Sequence, residues 1–155
     1  MKTYIGTKII EAKPMTRGDY NTFRGWKIPE DENPEDRGYF VKYPDGYISW
    51  SPKEVFEEAY RECDSMPFGL AIEAMKKGKR VKRKGWNGKN QYIQLATGIS
   101  YKSADGEIVN CEHDAIGNQA IAFVGTSGVQ MGWLASQGWL ASHADMLAED
   151  WVFVE

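Results

Sequence analysis

The side chains best suited to chemistry lie in a run of seven residues, Arg83-Lys84-Gly85-Trp86-Asn87-Gly88-Lys89. The cations at either end, Arg83 and Lys89, can face phosphate oxygens, and the indole of Trp86 can stack on a purine. The amide of Asn87 can address ribose or base edges, while Gly88 lets backbone N–H groups approach closely. A hairpin turn carrying a core tryptophan has the same spacing, so the residues alone favour a nucleotide without excluding a turn.

Other catalytic signatures are mostly absent from the sequence. It contains no G-x-x-x-x-G-K-[ST] loop, no G-x-S-x-G elbow, no H-E-x-x-H and no G-x-G-x-x-G after a strand. The metal-capable run 111–114 lacks a second cluster, so we expect no metal ion and no cofactor. Ser142-His143-Ala144-Asp145 fits an acid/base pair and, equally well, a helix start with Ser142 as N-cap and Asp145 three residues later. Residues 125–128, Gly-Thr-Ser-Gly, favour a hairpin turn over a phosphate cradle.

Length and composition set the class of protein. The chain has 155 residues, a net charge of -3 and 42% hydrophobic residues, which is typical of a soluble globular protein. It has no apolar run of the ~18–20 residues that cross a bilayer and no signal peptide, so we expect no membrane partner. Cys63 and Cys111 are far apart and form no C-x-x-C pair, which favours a reducing cytoplasm.

Charge is concentrated in one segment. Residues 74–104 carry nine basic residues and no acidic one, whereas 29–36 form an acidic loop bracketed by prolines that we expect to be solvated. The negative net charge argues against binding long nucleic acids, while the basic segment allows an anionic small ligand.

We expect an α+β fold of small antiparallel sheets and short helices in two compact modules, 1–62 and 66–155. In the first, 8–12 read as a strand and 38–43 and 46–50 as a hairpin. A helix should begin at Ser51-Pro52-Lys53-Glu54, with Ser51 as N-cap, and run to about Glu62. Its buried face should comprise Val55, Phe56, Ala59 and Tyr60.

In the second module, Pro67 should start a helix that ends at Gly78. Its inward stripe should comprise Phe68, Ala71, Ile72 and Met75. Strands are predicted at 80–83, 91–95, 100–102, 107–109, 120–124 and 151–154, with a turn at Asp105-Gly106. Residues 132–137 and 138–143 repeat Gly-Trp-Leu-Ala-Ser, which we interpret as a local duplication in a loop or strand, or as a doubled aromatic contact.

Residues 66–155 resemble the small phage proteins called Thoeris anti-defence proteins of the second type. The resemblance rests on two blocks of residues. The first block comprises 68–79 and continues with Val81, Arg83 and 85–89. The second block comprises 139–142 and 145–151. The family usually has Gln-Thr where this chain has His143-Ala144, and the extra copy of the repeat is not typical. Residues 1–62 look like a module appended to many phage-encoded proteins.

The resemblance implies a sponge that binds cyclic ADP-ribose isomers made by TIR-domain enzymes and holds them without cleavage, inside the cytoplasm of the infected bacterial host. Some relatives also capture cyclic dinucleotides of the CBASS defence at a separate pocket. The family assembles as a tetramer with pockets between subunits. On this interpretation the ligand-binding residues are Arg83, Trp86, Asn87, Gly88, Lys89, Ser142 and Asp145, with Ser142 the weakest candidate.

The residues themselves are also compatible with three other functions. The chain could be an enzyme that degrades the same signal, a nucleic-acid-binding module that uses the basic segment, or a virion component. Binding of oligonucleotides that falls steeply with salt would indicate the second.

Overall fold

The computed structural model describes residues 1–87, 90–96, 99–111, 120–125, 128–130 and 139–154. The chain divides into two compact units, Met1–Arg61 and Glu62–Glu155. Described helices are four to nine residues long, and the strand pairs are antiparallel, which confirms the predicted α+β class. No helix in the described part of the chain has the length and apolar character to cross a membrane.

The first unit is a three-stranded sheet with two helices. Its elements are β1 (Glu11–Pro14), α1 (Arg17–Phe23), β2 (Gly38–Lys42), β3 (Ile48–Pro52) and α2 (Lys53–Ala59), with sheet order β1-β2-β3. The predicted hairpin is confirmed, and Gly46 takes a φ of 85° at its turn. The first strand lies three residues later than predicted.

Sequence reasoning missed α1. Thr16 caps it by accepting a hydrogen bond from the Asp19 amide at 3.1 Å, and Tyr20 and Asn21 are buried on its inner face. The acidic loop is exposed except at Glu32, which accepts hydrogen bonds from Arg17 and from Asn21. These bonds lower the pKa of Glu32, and the other residues of the loop are exposed as expected.

The prediction for α2 is wrong in two respects. Ser51 and Pro52 belong to β3, so Pro52 occupies the N-cap position, where it makes no side-chain cap, and the helix ends at Ala59 rather than near Glu62. Val55 is 58% exposed and Ala59 is exposed too, so the expected buried face is reduced to the half-buried Phe56 and Tyr60. The Phe56 ring stacks on Tyr39 and on Tyr60, with ring centroids 4.1 and 4.9 Å away.

The second unit contains α3 (Phe68–Lys76) and the remaining strands. These are β4 (Arg80–Arg83), β5 (Tyr92–Ala96), β6 (Ile99–Lys102), β7 (Ile108–Cys111), β8 (Ala120–Gly125), β9 (Gly128–Gln130) and β10 (Trp151–Val154), with α4 (His143–Met146) before the last. One sheet has the order β10-β4-β5-β8-β9, and β6 pairs with β7. Gly125 lies opposite Gly128 in a β8–β9 hairpin, as expected, although 126–127 lie outside the described residues.

The core of this unit lies between α3 and the sheet. Ala71 and Met75 of the predicted stripe are buried against Val81, Ile93 and Trp151. Gly78 takes a φ of 79° after α3, which confirms the expected left-handed helix end. Burial of α3 therefore fixes β4 and β10 side by side, and β4 leads directly into the candidate site.

Candidate functional site

The candidate site begins where β4 ends. Arg83 pairs with Trp151 in the antiparallel register, so Asp150, which precedes Trp151, lies beside the residues that leave β4. We call residues Lys84–Asn87 the Trp86 loop. The amide of Lys84 donates to the Asp150 carbonyl at 3.0 Å, which anchors the first residue of this loop to the opposite strand.

Arg83 is held by two carboxylates. Its Nε donates to Asp150 Oδ1 at 2.9 Å and its Nη1 donates to Asp145 Oδ1 at 3.1 Å. The Arg83 side chain is 23% exposed, and those of Asp145 and Asp150 are 15% and 32% exposed. The described cluster of one cation and two anions thus carries a net charge of -1.

The charged form is favoured for all three side chains of this cluster, Arg83, Asp145 and Asp150. Hydrogen bonds to Asp150 and then to Asp145 raise the pKa of Arg83. Burial opposes ionisation of both carboxylates, but bonds from Ser142 and Arg83 leave the pKa of Asp145 below its ordinary value. Bonds from Arg83 and the Gly85 amide do the same for the pKa of Asp150.

Ser142 and Asp145 form the capping box that the sequence allowed. The Asp145 amide donates to Ser142 Oγ at 3.1 Å, and the Ser142 amide donates to Asp145 Oδ2 at 3.0 Å. Ser142 Oγ also donates to Asp145 Oδ2 at 2.6 Å. The helix-start interpretation is therefore confirmed, and the Asp145 carboxylate is bonded to Ser142 and Arg83 rather than to His143 among the described contacts.

Trp86 lies half-buried at the margin of an aromatic cluster. Its ring meets Phe123, Trp151 and Trp139 at centroid distances of 5.3, 5.4 and 6.0 Å. All three contacts are edge-to-face, with interplanar angles of 61°, 77° and 70°, which is a favourable geometry for aromatic pairs. The cluster therefore fixes the plane of the indole while leaving part of the ring accessible.

The structure describes only some of the other residues of the predicted site. Asn87 is exposed immediately after Trp86. Gly88 and Lys89 lie outside the described residues. So do the first copy of the repeat, 132–137, and the metal-capable residues 112–114. The described residues contain no group of three or more potential metal ligands among His, Cys, Asp and Glu.

Sequence reasoning missed two partners of the Trp86 loop. Asp150 binds both Arg83 and the Gly85 amide, and Trp139 supplies one of the three rings around Trp86. Both are more than 50 residues away along the chain. Only the β4–β10 register could have revealed Asp150, because no local pattern relates it to the loop.

Comparisons with known proteins match the part of the chain that contains the Trp86 loop. The family model of the Thoeris anti-defense 2-like domain matches residues 66–154. The protein named Thoeris anti-defense 2 from Bacillus phage SP01 is 37% identical over 93 residues, which cover 57% of this chain and 94% of that protein.

Proposed function

The chain belongs to the Thoeris anti-defense 2-like family, a phage anti-defence family directed at Thoeris, and on that premise we propose that it binds and sequesters a cyclic ADP-ribose-type signal without cleaving it. The observation that carries this proposal is the half-buried Trp86 ring, held edge-on by three aromatic side chains and located three residues after the fixed Arg83.

Trp86 is the proposed stacking platform for the adenine. A ring whose plane is already fixed loses little conformational freedom when a base stacks on it, and stacking contributes about 1–3 kcal/mol per base. Asn87, exposed beside it, is the proposed partner of ribose hydroxyls or base edges. Gly88 and Lys89, the next two residues in the sequence, are the proposed phosphate-binding residues.

Arg83 keeps a narrower role than the sequence predicted for it. Its Nε and Nη1 are bonded to aspartates, so among the described contacts the donors left for a phosphate are the two hydrogens of Nη2 and the second hydrogen of Nη1. From described residues, Asp145 likewise accepts three hydrogen bonds, which leaves about one of its roughly four lone-pair positions for a ribose hydroxyl. We therefore assign the larger share of binding to the Trp86 loop.

Binding, rather than turnover, is the proposed activity. The Asp145 carboxylate is ionised and engaged by Ser142 and Arg83, which favours a structural role over proton transfer. A sponge acts by mass action, so it must match the signal in number and bind well below its own concentration. A dissociation constant of ~1 nM corresponds to about -12.3 kcal/mol, more than one stacked base provides, so several contacts must act together.

We propose a homotetramer, acting in the cytoplasm of the infected host, with ligand pockets between subunits. Leu140 and Leu147, which flank α4 in the second unit, are 73% and 83% exposed, and Met146 is 45% exposed. Three exposed apolar side chains within eight residues of the chain favour a contact with another protein surface, and a second copy is the proposed occupant. Neither a membrane nor a long nucleic acid is a proposed partner.

Titration calorimetry with the full chain tests the binding proposal. The panel comprises the cyclic ADP-ribose isomers, linear ADP-ribose, cyclic dinucleotides and a single-stranded oligonucleotide. Tight binding of a cyclic ADP-ribose isomer is the expected result, and binding of a cyclic dinucleotide as well would indicate a second site. Affinity for the oligonucleotide alone, falling steeply with salt, would replace the proposal with nucleic-acid binding.

A further inference from the structure

We propose that Asp150 is the positioning residue of the Trp86 loop, the side chain that sets the orientation of the indole before a ligand arrives. The expected effect of Asp150 on ligand affinity rests on the proposed function, whereas its effect on the orientation of Trp86 rests on contacts alone. Neither the family match nor the local sequence pattern assigns a role to this residue.

Asp150 accepts three separate hydrogen bonds, one from Arg83 and two from the Trp86 loop. Its backbone carbonyl accepts from the Lys84 amide at 3.0 Å, and its carboxylate accepts from the Gly85 amide at 3.2 Å. The other carboxylate oxygen accepts from Arg83 Nε at 2.9 Å. A single residue therefore binds three consecutive residues of the chain that leads to Trp86.

Asp150 can position the loop because its own backbone is fixed. Trp151, the next residue, is fully buried and pairs with Arg83 in the sheet. On its other side, Trp151 exchanges two backbone hydrogen bonds with Met66, at 2.9 and 3.1 Å. Its indole Nε1 donates to the Asp145 carbonyl at 3.1 Å.

The loop is thus held from two sides by neighbouring residues of one segment. Asp150 fixes its backbone at Gly85, and the ring of Trp151 packs edge-on against Trp86 at 5.4 Å. Loss of the carboxylate would leave the ring contact but release the Gly85 amide and one side of Arg83. The indole would then sample several orientations, and a ligand would have to order it on binding.

A purely stabilising role for Asp150 makes a different prediction. If Asp150 only added stability, its removal would weaken the unit as any mild core substitution does, with no specific effect on Trp86. Ile93→Val provides that matched control, because Ile93 is fully buried in β5 and its hydrocarbon side chain contributes packing alone. Loss of one buried methyl group should lower the melting temperature modestly.

The experiment compares Asp150→Ala with Ile93→Val in the full chain by two readouts. The first is the indole N–H resonance of Trp86 in a nitrogen-15 correlation spectrum, assigned by its loss in Trp86→Phe. The second is the dissociation constant for the cyclic ADP-ribose isomer that binds the wild type. We expect Asp150→Ala to shift or broaden the Trp86 resonance and to raise the dissociation constant roughly 2- to 10-fold, the cost of immobilising one side chain.

The control and the alternative outcomes separate the two roles. Ile93→Val should leave the Trp86 resonance in place and the affinity within twofold. An unchanged Trp86 resonance in Asp150→Ala, or an equal shift in both variants, would overturn the positioning role. If Asp150→Ala does not fold, Asp150→Asn has the same shape and loses one of the two acceptor oxygens, so it must move the same resonance.

Failure of the inference can be distinguished from failure of the proposed function. If the wild type binds no cyclic ADP-ribose isomer, the proposed function fails, while the spectrum still decides whether Asp150 orients Trp86.

Discussion

Replacement of Trp86 by alanine separates the two roles that the structure gives this ring, packing and ligand stacking. Three edge-to-face contacts are lost, and each such pair is worth about 0.5–1.5 kcal/mol beyond the burial of its surface, so these contacts alone should account for roughly 1.5–4.5 kcal/mol of lost stability in the second unit. A domain of ordinary stability, about 5–15 kcal/mol, stays folded after such a loss.

The expected effect of Trp86→Ala on ligand binding is the loss of base stacking. Loss of about 1–3 kcal/mol of base stacking raises the dissociation constant between about 5-fold and about 150-fold. Trp86→Phe keeps an aromatic face and should retain most of the affinity. Tyr47→Ala is the matched control, because Tyr47 is 65% exposed in the hairpin of the first unit.

The assay is calorimetry against the cyclic ADP-ribose isomer, with melting curves recorded on the same samples. We expect Trp86→Ala to lose both stability and affinity, Trp86→Phe to lose chiefly stability, and Tyr47→Ala to bind like the wild type. Wild-type affinity and stoichiometry in a folded Trp86→Ala protein would refute the assignment of Trp86 as the stacking platform.

Three further predictions concern stability. Because the pKa values of Asp145 and Asp150 are lower in the folded state than their ordinary value of 3.8, their contribution is complete above about pH 5 and is lost as the pH falls below about 4. Melting of the second unit between pH 7 and pH 3 should show this loss, and a flat profile would contradict it. Ser142→Ala removes the capping box and should cost about 1 kcal/mol in denaturant unfolding, and an unchanged midpoint would show that the cap is dispensable. Gly38→Ala should unfold the first unit, since its new Cβ would overlap the Trp50 ring and the Ser51 carbonyl oxygen; a native hairpin in its amide spectrum would count against that reasoning.

Much of the second unit follows from local sequence. The stripe Phe68, Ala71, Ile72 and Met75 has the helical period, Gly78 supplies the left-handed ending, and Arg80–Arg83 and Trp151–Val154 form strands at the predicted residues. The capping box at Ser142 is equally local. In each case the physical cause lies within a few residues of the pattern.

The sequence-based predictions are wrong where contacts between residues distant in the sequence determine the structure. Ser51 looks like a helix N-cap, but pairing with Tyr39 extends β3 through it and displaces the helix start to Lys53. Arg83 looks like a free cation, because its two aspartates lie more than 60 residues away and meet it only through the β4–β10 register. Its ligand-binding role, like those of Trp86 and Asn87, stays a prediction.

Recovery of the signal from the complex tests sequestration most directly. The full chain is incubated with a cyclic ADP-ribose isomer, freed of unbound ligand and then heated to unfold the protein, and the released small molecule is identified by mass spectrometry and chromatography. The account predicts release of the unchanged isomer in amounts that match the number of sites. A linear or otherwise altered product, accumulating with time of incubation, would contradict it and indicate an enzyme.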